Sequence, residues 1–276
     1  MTEHVSNLEN KNTLNKLNKG YKLYNLERYE DALKEFNSAV AINEENMFGE
    51  AYLGKGASLS LLGKRELAEE AYGKAINKLC SGAYYNKGLL LSKADRIAEA
   101  HSCYERAIEL EPNDPKLYCE LGRNLGKFDG SFAKEAIKAL DQAIMLKPHY
   151  AGAYYEQGVV FKKFERYEDA ITAFNKAIEL NPHYADAYCY KGAALYCLER
   201  YEEAIKEFDS AIALDPHEPV YFCNKGDALH KLERYAEAIK EFDKKIELKP
   251  DDADAYYSKG SCYNYLEQYD EAIKCC

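Results

Sequence analysis

Apolar side chains recur along this chain at intervals of three and four residues, in short runs that themselves repeat. The stretch Ala185 to Glu218, ADAYCYKGAALYCLERYEEAIKEFDSAIALDPHE, displays the unit. Counting Ala185 as position 1, Tyr188, Gly192 and Leu195 stand at positions 4, 8 and 11, and Ala204, Phe208 and Ala211 at positions 20, 24 and 27. Each set falls on one face of a helix, so the unit is predicted to be a hairpin of two antiparallel helices. The position-8 glycine recurs as Gly20, Gly56, Gly88, Gly122, Gly158, Gly192, Gly226 and Gly260, at spacings of 36, 32, 34, 36, 34, 34 and 34. In the fourth copy an extra pair of residues lies around Asp129 and Gly130, which puts Ala136 fourteen residues after the glycine instead of twelve.

Small residues at positions 8 and 20 let the two backbones of a hairpin approach, and aromatic or leucine side chains at 4 and 24 fill the space beside them. The prolines agree. Pro112, Pro148, Pro182, Pro216 and Pro250 follow second helices, while Pro115 and Pro219 sit at position 1, where a missing N–H costs nothing. The chain therefore divides into residues 1–12, too poor in apolar groups to order themselves and expected as a mobile lead, and an array over 13–276. Its repeats start near 13, 49, 81, 115, 151, 185, 219 and 253.

Composition narrows the function classes. The net charge of −10 argues against a general nucleic-acid or anionic-membrane surface. No apolar run approaches a membrane span and the opening residues lack a signal-peptide core, so a cytoplasmic location is expected. The nine cysteines follow no ladder of spacings and read as free thiols. The paired Cys275 and Cys276 at the end resemble the double-cysteine ending of prenylated trafficking GTPases, and lipidation there is the one route to a membrane; no polybasic run adjoins them.

Candidate chemistry is thin. Gly49 to Gly56 reads as most of a phosphate-binding loop, but lacks the final Ser or Thr and lies inside a predicted helix. His149, His183 and His217 form a column at position 33, spaced one repeat apart and so too far apart to share an ion. Cys189, Cys197 and Cys223 read as small hydrophobes. No Ser/His/Asp, HExxH or CxxC arrangement appears, so the chain reads as non-enzymatic, with neither cofactor nor metal expected.

Tyrosine at 4, glycine at 8, leucine at 11, alanine at 20, phenylalanine at 24, alanine at 27 and proline at 32, with period 34, resemble the tetratricopeptide repeat over Thr13 to Cys276. The resemblance implies an all-α superhelix, an α-solenoid of about seven and a half repeats, whose first helices line a concave groove. Two departures stand out. The family's Trp at position 4 is Tyr or Phe here except for Lys16 in the first copy, and its Leu at position 7 is mostly Lys (Lys55, Lys87, Lys191, Lys225, Lys259). Lys245 replaces the position-27 alanine of repeat 7, so a looser junction with repeat 8 is expected.

The resemblance also implies that positions 2, 5, 6, 9, 12 and 13 face a bound peptide. In repeats 3 to 5 these give Tyr85, Asn86, Lys93, Lys116, Arg123, Lys127, Tyr155, Lys162 and Lys163, a basic stretch opposed by Glu120 and Glu156. In repeats 6 to 8 they give Tyr190 with Asp186, Asp227 and Asp254, against Lys231. Some family members clamp a chaperone's terminal carboxylate; of the five positions involved, Asn86 and Lys116 match, whereas Leu53, Ala57 and Glu120 do not. The expected function is a non-enzymatic scaffold for a protein or peptide partner, with an acidic segment held in repeats 3 to 5. Two alternatives stay open: self-association through the uncapped last repeat, and service as the targeting part of a larger enzyme.

Overall fold

The computed structural model describes residues 2–42, 49–76, 81–128 and 132–275. Among these the secondary structure is helical throughout, with no strand, and the chain falls into two compact units, Met1–Leu146 and Lys147–Cys276. The first contains α1 (Thr2–Asn25), α2 (Tyr29–Ile42), α3 (Gly49–Leu61), α4 (Arg65–Ile76), α5 (Ser81–Lys93), α6 (Ile97–Leu110), α7 (Pro115–Leu125) and α8 (Ala133–Leu146). The second contains α9 (Ala151–Lys163), α10 (Tyr167–Leu180), α11 (Ala185–Cys197), α12 (Tyr201–Leu214), α13 (Pro219–Lys231), α14 (Tyr235–Leu248), α15 (Ala253–Tyr265) and α16 (Tyr269–Ile273). The pair of residues around Asp129 and Gly130 lies outside the described residues.

Successive helices pair as hairpins, and within each unit the second helix of one hairpin packs on the first helix of the next. First helices also touch first helices: α1, α3, α5 and α7 in one unit, α9, α11, α13 and α15 in the other. This stacking of hairpins is α-solenoid architecture. Helical backbone runs from Thr2, so residues 2–12 continue the first helix where composition suggests a mobile lead; Thr13 is buried.

Seven of the eight position-8 glycines are explained by one kind of contact. A Cβ built on Gly192 or Gly226 would stand 2.6 Å from the ring of Phe208 or Phe242, inside van der Waals contact, so the ring can lie on the first helix only if no side chain is there. Rings or leucine cover the equivalent glycines of repeats 1 to 5, and the aromatic residues Phe36, Tyr104, Phe174, Phe208 and Phe242 are fully buried. Helix starts are fixed locally. Asp114 and Glu218 accept from the backbone N–H of Lys116 and Val220, with Pro115 and Pro219 in the first turn.

The turns inside six of the hairpins carry a stored cost. Glu27, Asp95, Glu165, Glu199, Glu233 and Glu267, all at position 15, adopt left-handed backbone with φ of 58 to 60°, where repeat 2 has Gly63. A side chain at that φ costs on the order of 1 kcal/mol.

Position 7 departs from its family for a reason that lies between repeats. Lys225 bonds Glu241 of its own repeat at 2.7 Å and Asp209 of the preceding one at 2.8 Å, and Lys259 reaches Asp243 at 2.6 Å. These ammonium groups tie neighbouring hairpins together across a surface that a leucine would only cover.

The expected looseness at Lys245 is not found. Lys245 is 7% exposed, and its ammonium pairs with Asp252 at 3.0 Å and donates to Cys223 Sγ at 3.4 Å. Burial opposes its charge, but the bond to Asp252 and the contact with Cys223 outweigh it and raise the lysine's pKa. An ion pair therefore closes the seam between α14 and α15 where other repeats use a methyl group.

Candidate functional site

The first helices position every residue singled out for partner binding, and the two units are described separately. In the first, α5 carries Tyr85, Asn86 and Lys93, and α7 carries Lys116 and Arg123, with Lys127 in the turn that follows it. Tyr85 is half-buried against Tyr104, with ring centroids 6.5 Å apart, and burial raises its pKa. Asn86 is half-buried beside it on α5. Lys93 and Lys116 are exposed. Arg123 is exposed but pairs with Glu120 at 3.0 Å, and the Lys127 ammonium donates to the Ser92 carbonyl at 2.9 Å and hydroxyl at 2.8 Å. Two of the four expected cations thus spend part of their charge inside the protein. Glu120 is half-buried, and desolvation raises its pKa against the pull of Arg123 and Lys127.

In the second unit, α9 carries Tyr155, Lys162 and Lys163, α11 carries Tyr190, and α13 carries Asp227. Tyr155 is the centre of an aromatic group, 4.8 Å from Tyr184, 5.5 Å from Tyr190 and 5.9 Å from Phe174 between centroids, and burial raises its pKa. The Lys162 ammonium sits 5.4 Å from the Tyr190 ring centroid, a cation–π contact between adjacent first helices. Lys163 is exposed, above the Phe164 ring at 6.0 Å. Asp186 accepts from the Tyr221 hydroxyl at 2.8 Å. Asp227 is half-buried; desolvation raises its pKa, while Lys245 and Lys231 pull it down. Its thiol neighbour Cys223 lies 3.9 Å away.

The remaining sequence candidates fall into structural roles. Gly49 to Gly56 lies within α3. His183 and His217 are exposed turn residues whose backbone N–H groups donate to Asn181 and Asp215. Cys189 is buried, Cys223 half-buried and Cys197 exposed. Cys275 is half-buried, its thiol 3.5 Å from the Glu271 carbonyl, and Cys276 lies outside the described residues. Among the described residues no group of three or more His, Cys, Asp and Glu is placed to hold a metal ion, and no helix is long and apolar enough to cross a membrane.

Profiles for the tetratricopeptide repeat match residues 81–114, 155–219 and 253–276, and a TPR repeat profile matches 226–264. The chain belongs to the tetratricopeptide-repeat family. Among curated relatives it is similar to Protein O-mannosyl-transferase TMTC1 of Homo sapiens, 26% identical over 139 residues, which are 49% of this chain and 16% of the relative. It is also similar to the peroxisomal targeting signal receptor of Candida glabrata, 28% identical over 142 residues, 46% of this chain and 24% of the receptor. The chain spans less than a quarter of either protein. Solved structures share the tetratricopeptide-repeat fold. A chain of the APC/C hetero-tetramer Cut9-Hcn1 superposes with a TM-score of 0.67 at 20% identity, over 82% of this chain and 46% of that one. The pilF protein of Pseudomonas aeruginosa does so with 0.62 at 18% identity, over 71% and 88%.

One residue that matters here, Tyr221, lies outside the positions expected to face a partner. Asn224 and Tyr196 occupy first-helix positions 6 and 12 and flank Asp227, and Tyr221 replaces the alanine found at position 3 of the neighbouring repeats. The signal for Tyr221 is that replacement, set one repeat away from Asp186.

Proposed function

We propose that this tetratricopeptide-repeat chain is a non-catalytic interaction module that receives a segment of a partner protein on its first helices. The observation that carries this reading is the set of half-buried rings on those helices, Tyr85 in one unit and Tyr155 and Tyr190 in the other, held by neighbours and bordered by lysines. Pre-ordered rings offer contact area at little entropic cost. The name of the Candida glabrata relative, a targeting signal receptor, agrees with a face that takes peptide segments. In the first unit Lys93, Lys116, Arg123 and Lys127, with Asn86 among them, suit an acidic segment. Lys162 and Lys163 carry the same sign in the second.

The test is quantitative capture from host-cell lysate by the whole chain and by two variants, Lys116→Glu with Arg123→Glu, and Lys162→Glu with Lys163→Glu, after circular dichroism shows equal helicity. Loss of a defined set of proteins with either variant supports the acidic-segment reading. Identical capture by all three contradicts it.

A second reading, self-association through the last repeat, is favoured by one contrast. Ile205 and Ile239, at position 21 of repeats 6 and 7, are 8% exposed, whereas Ile273 at the same position is 71% exposed. Beside it lies a cavity of about 590 Å³ lined by Tyr256, Tyr257, Gly260, Asn264, Ala272 and Cys275. A second copy covering this end would make the molar mass in light scattering rise with concentration; a constant monomer mass rejects it. The third reading, service as the targeting part of a larger enzyme, draws on the human relative's name, and the chain corresponds to 16% of that protein. A coding sequence for a catalytic domain in the same reading frame would support it.

A further inference from the structure

The seams between consecutive repeats of the second unit use the same positions in different ways. Between repeats 5 and 6, position 12 is Lys162, and its ammonium lies over the position-6 ring of the next repeat, Tyr190. Between repeats 6 and 7, position 12 is Tyr196, position 6 is Asn224 and position 9 is Asp227. No lysine of the chain stands at the equivalent place, and a cavity of about 90 Å³ opens there, lined by Ala193, Tyr196, Phe208, Asn224 and Asp227.

Each wall has a defined chemistry. The Tyr196 ring is held edge-on by Tyr201 with centroids 5.3 Å apart. The Asn224 amide is turned to Cys189 Sγ at 3.3 Å, which fixes its plane. Asp227 takes a single hydrogen bond, the long one from the Cys223 thiol at 3.9 Å, and among the described residues no cation lies within ion-pair distance of it. Of the two lysines that act on it, Lys245 is committed to Asp252 at 3.0 Å, and Lys231 is exposed in the last turn of α13. The cavity sets the Asp227 carboxylate beside the Tyr196 ring. Its volume has room for an ammonium or guanidinium head.

We propose that Asp227, Asn224 and the ring of Tyr196 form an anchor for one lysine or arginine side chain of the partner segment, in the place that Lys162 fills for the preceding repeat. This rests on the first-helix reading above and gives it a chemical requirement: the segment carries a basic residue where it crosses repeats 6 and 7. The head would pair with Asp227, and Tyr196 would supply a cation–π face.

The experiment selects phage-displayed random peptides on the whole chain, on Asp227→Asn and on Asp227→Lys, each first shown to be folded by circular dichroism. On the unaltered chain the enriched peptides should share a Lys or Arg at one position. Asp227→Asn should abolish that preference and weaken the best peptide about tenfold, the usual scale for one charge-assisted bond; Asp227→Lys should replace it by Asp or Glu. A consensus that is the same on all three proteins, or that has no basic position, overturns the anchor and leaves the first-helix reading standing. No enrichment on any of them overturns both. Should Asp227→Lys fail to fold, the Asp227→Asn comparison decides alone.

Discussion

The seam between repeats 5 and 6 and the seam between repeats 6 and 7 share a backbone arrangement and differ in what lies on it. At the first, the Lys162 ammonium lies over the Tyr190 ring, and Tyr190 packs edge-on against Tyr155. At the second, Tyr196, Asn224 and Asp227 leave a cavity with a carboxylate on its wall. The packing beneath is the same: Phe174 and Phe208 lie on Gly158 and Gly192 with the same spacing. The difference shows that the repeat holds its helices together with one set of positions and presents chemistry with another, so each face residue can change without loss of the hairpin.

The comparison breaks most severely if the shared packing is attacked. Gly226→Val places a branched side chain where even a Cβ would be 2.6 Å from Phe242, and should destabilise by about 3 kcal/mol. A urea midpoint equal to that of the unaltered chain would mean that the ring does not depend on the glycine. Lys245→Ala restores the alanine of other repeats but removes the nearer of the two cations on Asp252, leaving Lys249 at 3.2 Å, so the thermal midpoint should fall. Asp252 is held at about 2 by hydrogen bonding, to Lys245 first. Its folded pKa is depressed, so the stability it contributes is full above the unfolded carboxylate range and is lost as pH drops toward 2. Lys245→Ala should flatten that acid limb, and an unchanged limb would remove the pair from the seam.

Asp227→Asn sharpens the contrast between the seams in the opposite direction. Burial raises the folded pKa of Asp227, so its ionised form weakens the protein at neutral pH, and stability is regained as pH falls through the folded value. The variant should therefore melt higher at pH 7 while losing the basic-residue preference, a trade expected of a residue kept for binding. A lower midpoint would make Asp227 a structural residue. The smallest effect belongs to the turns. Glu233→Gly relieves a left-handed residue and should stabilise by up to about 1 kcal/mol, measured by urea unfolding; Glu233→Ala keeps the strain and should not.

Much of this architecture is legible in the residues. The recurring glycine and the ring sixteen residues later specify the hairpin and its period, because that pair works within one repeat. What a single copy cannot reveal are interactions whose partners sit in different repeats. Lys225 looks like a poor substitute for leucine until Asp209 and Glu241 are placed around it. Lys245 looks like a packing fault until Asp252 and Cys223 close on it. For the candidate site, the positions are readable and their states are not: Arg123 and Lys127 count as basic in sequence, yet Glu120 and Ser92 engage them. Tyr257, at position 5 of repeat 8 as Tyr155 is of repeat 5, is 80% exposed.

The most direct measurement is hydrogen exchange of the whole chain with and without a peptide selected on it. Added protection concentrated in α11 and α13, and lost with Asp227→Asn, is the predicted result, since ligand bound on the first helices should slow their opening. Protection confined to α10, α12 and α14, or to α15 and α16 alone, would contradict recognition on the first-helix face.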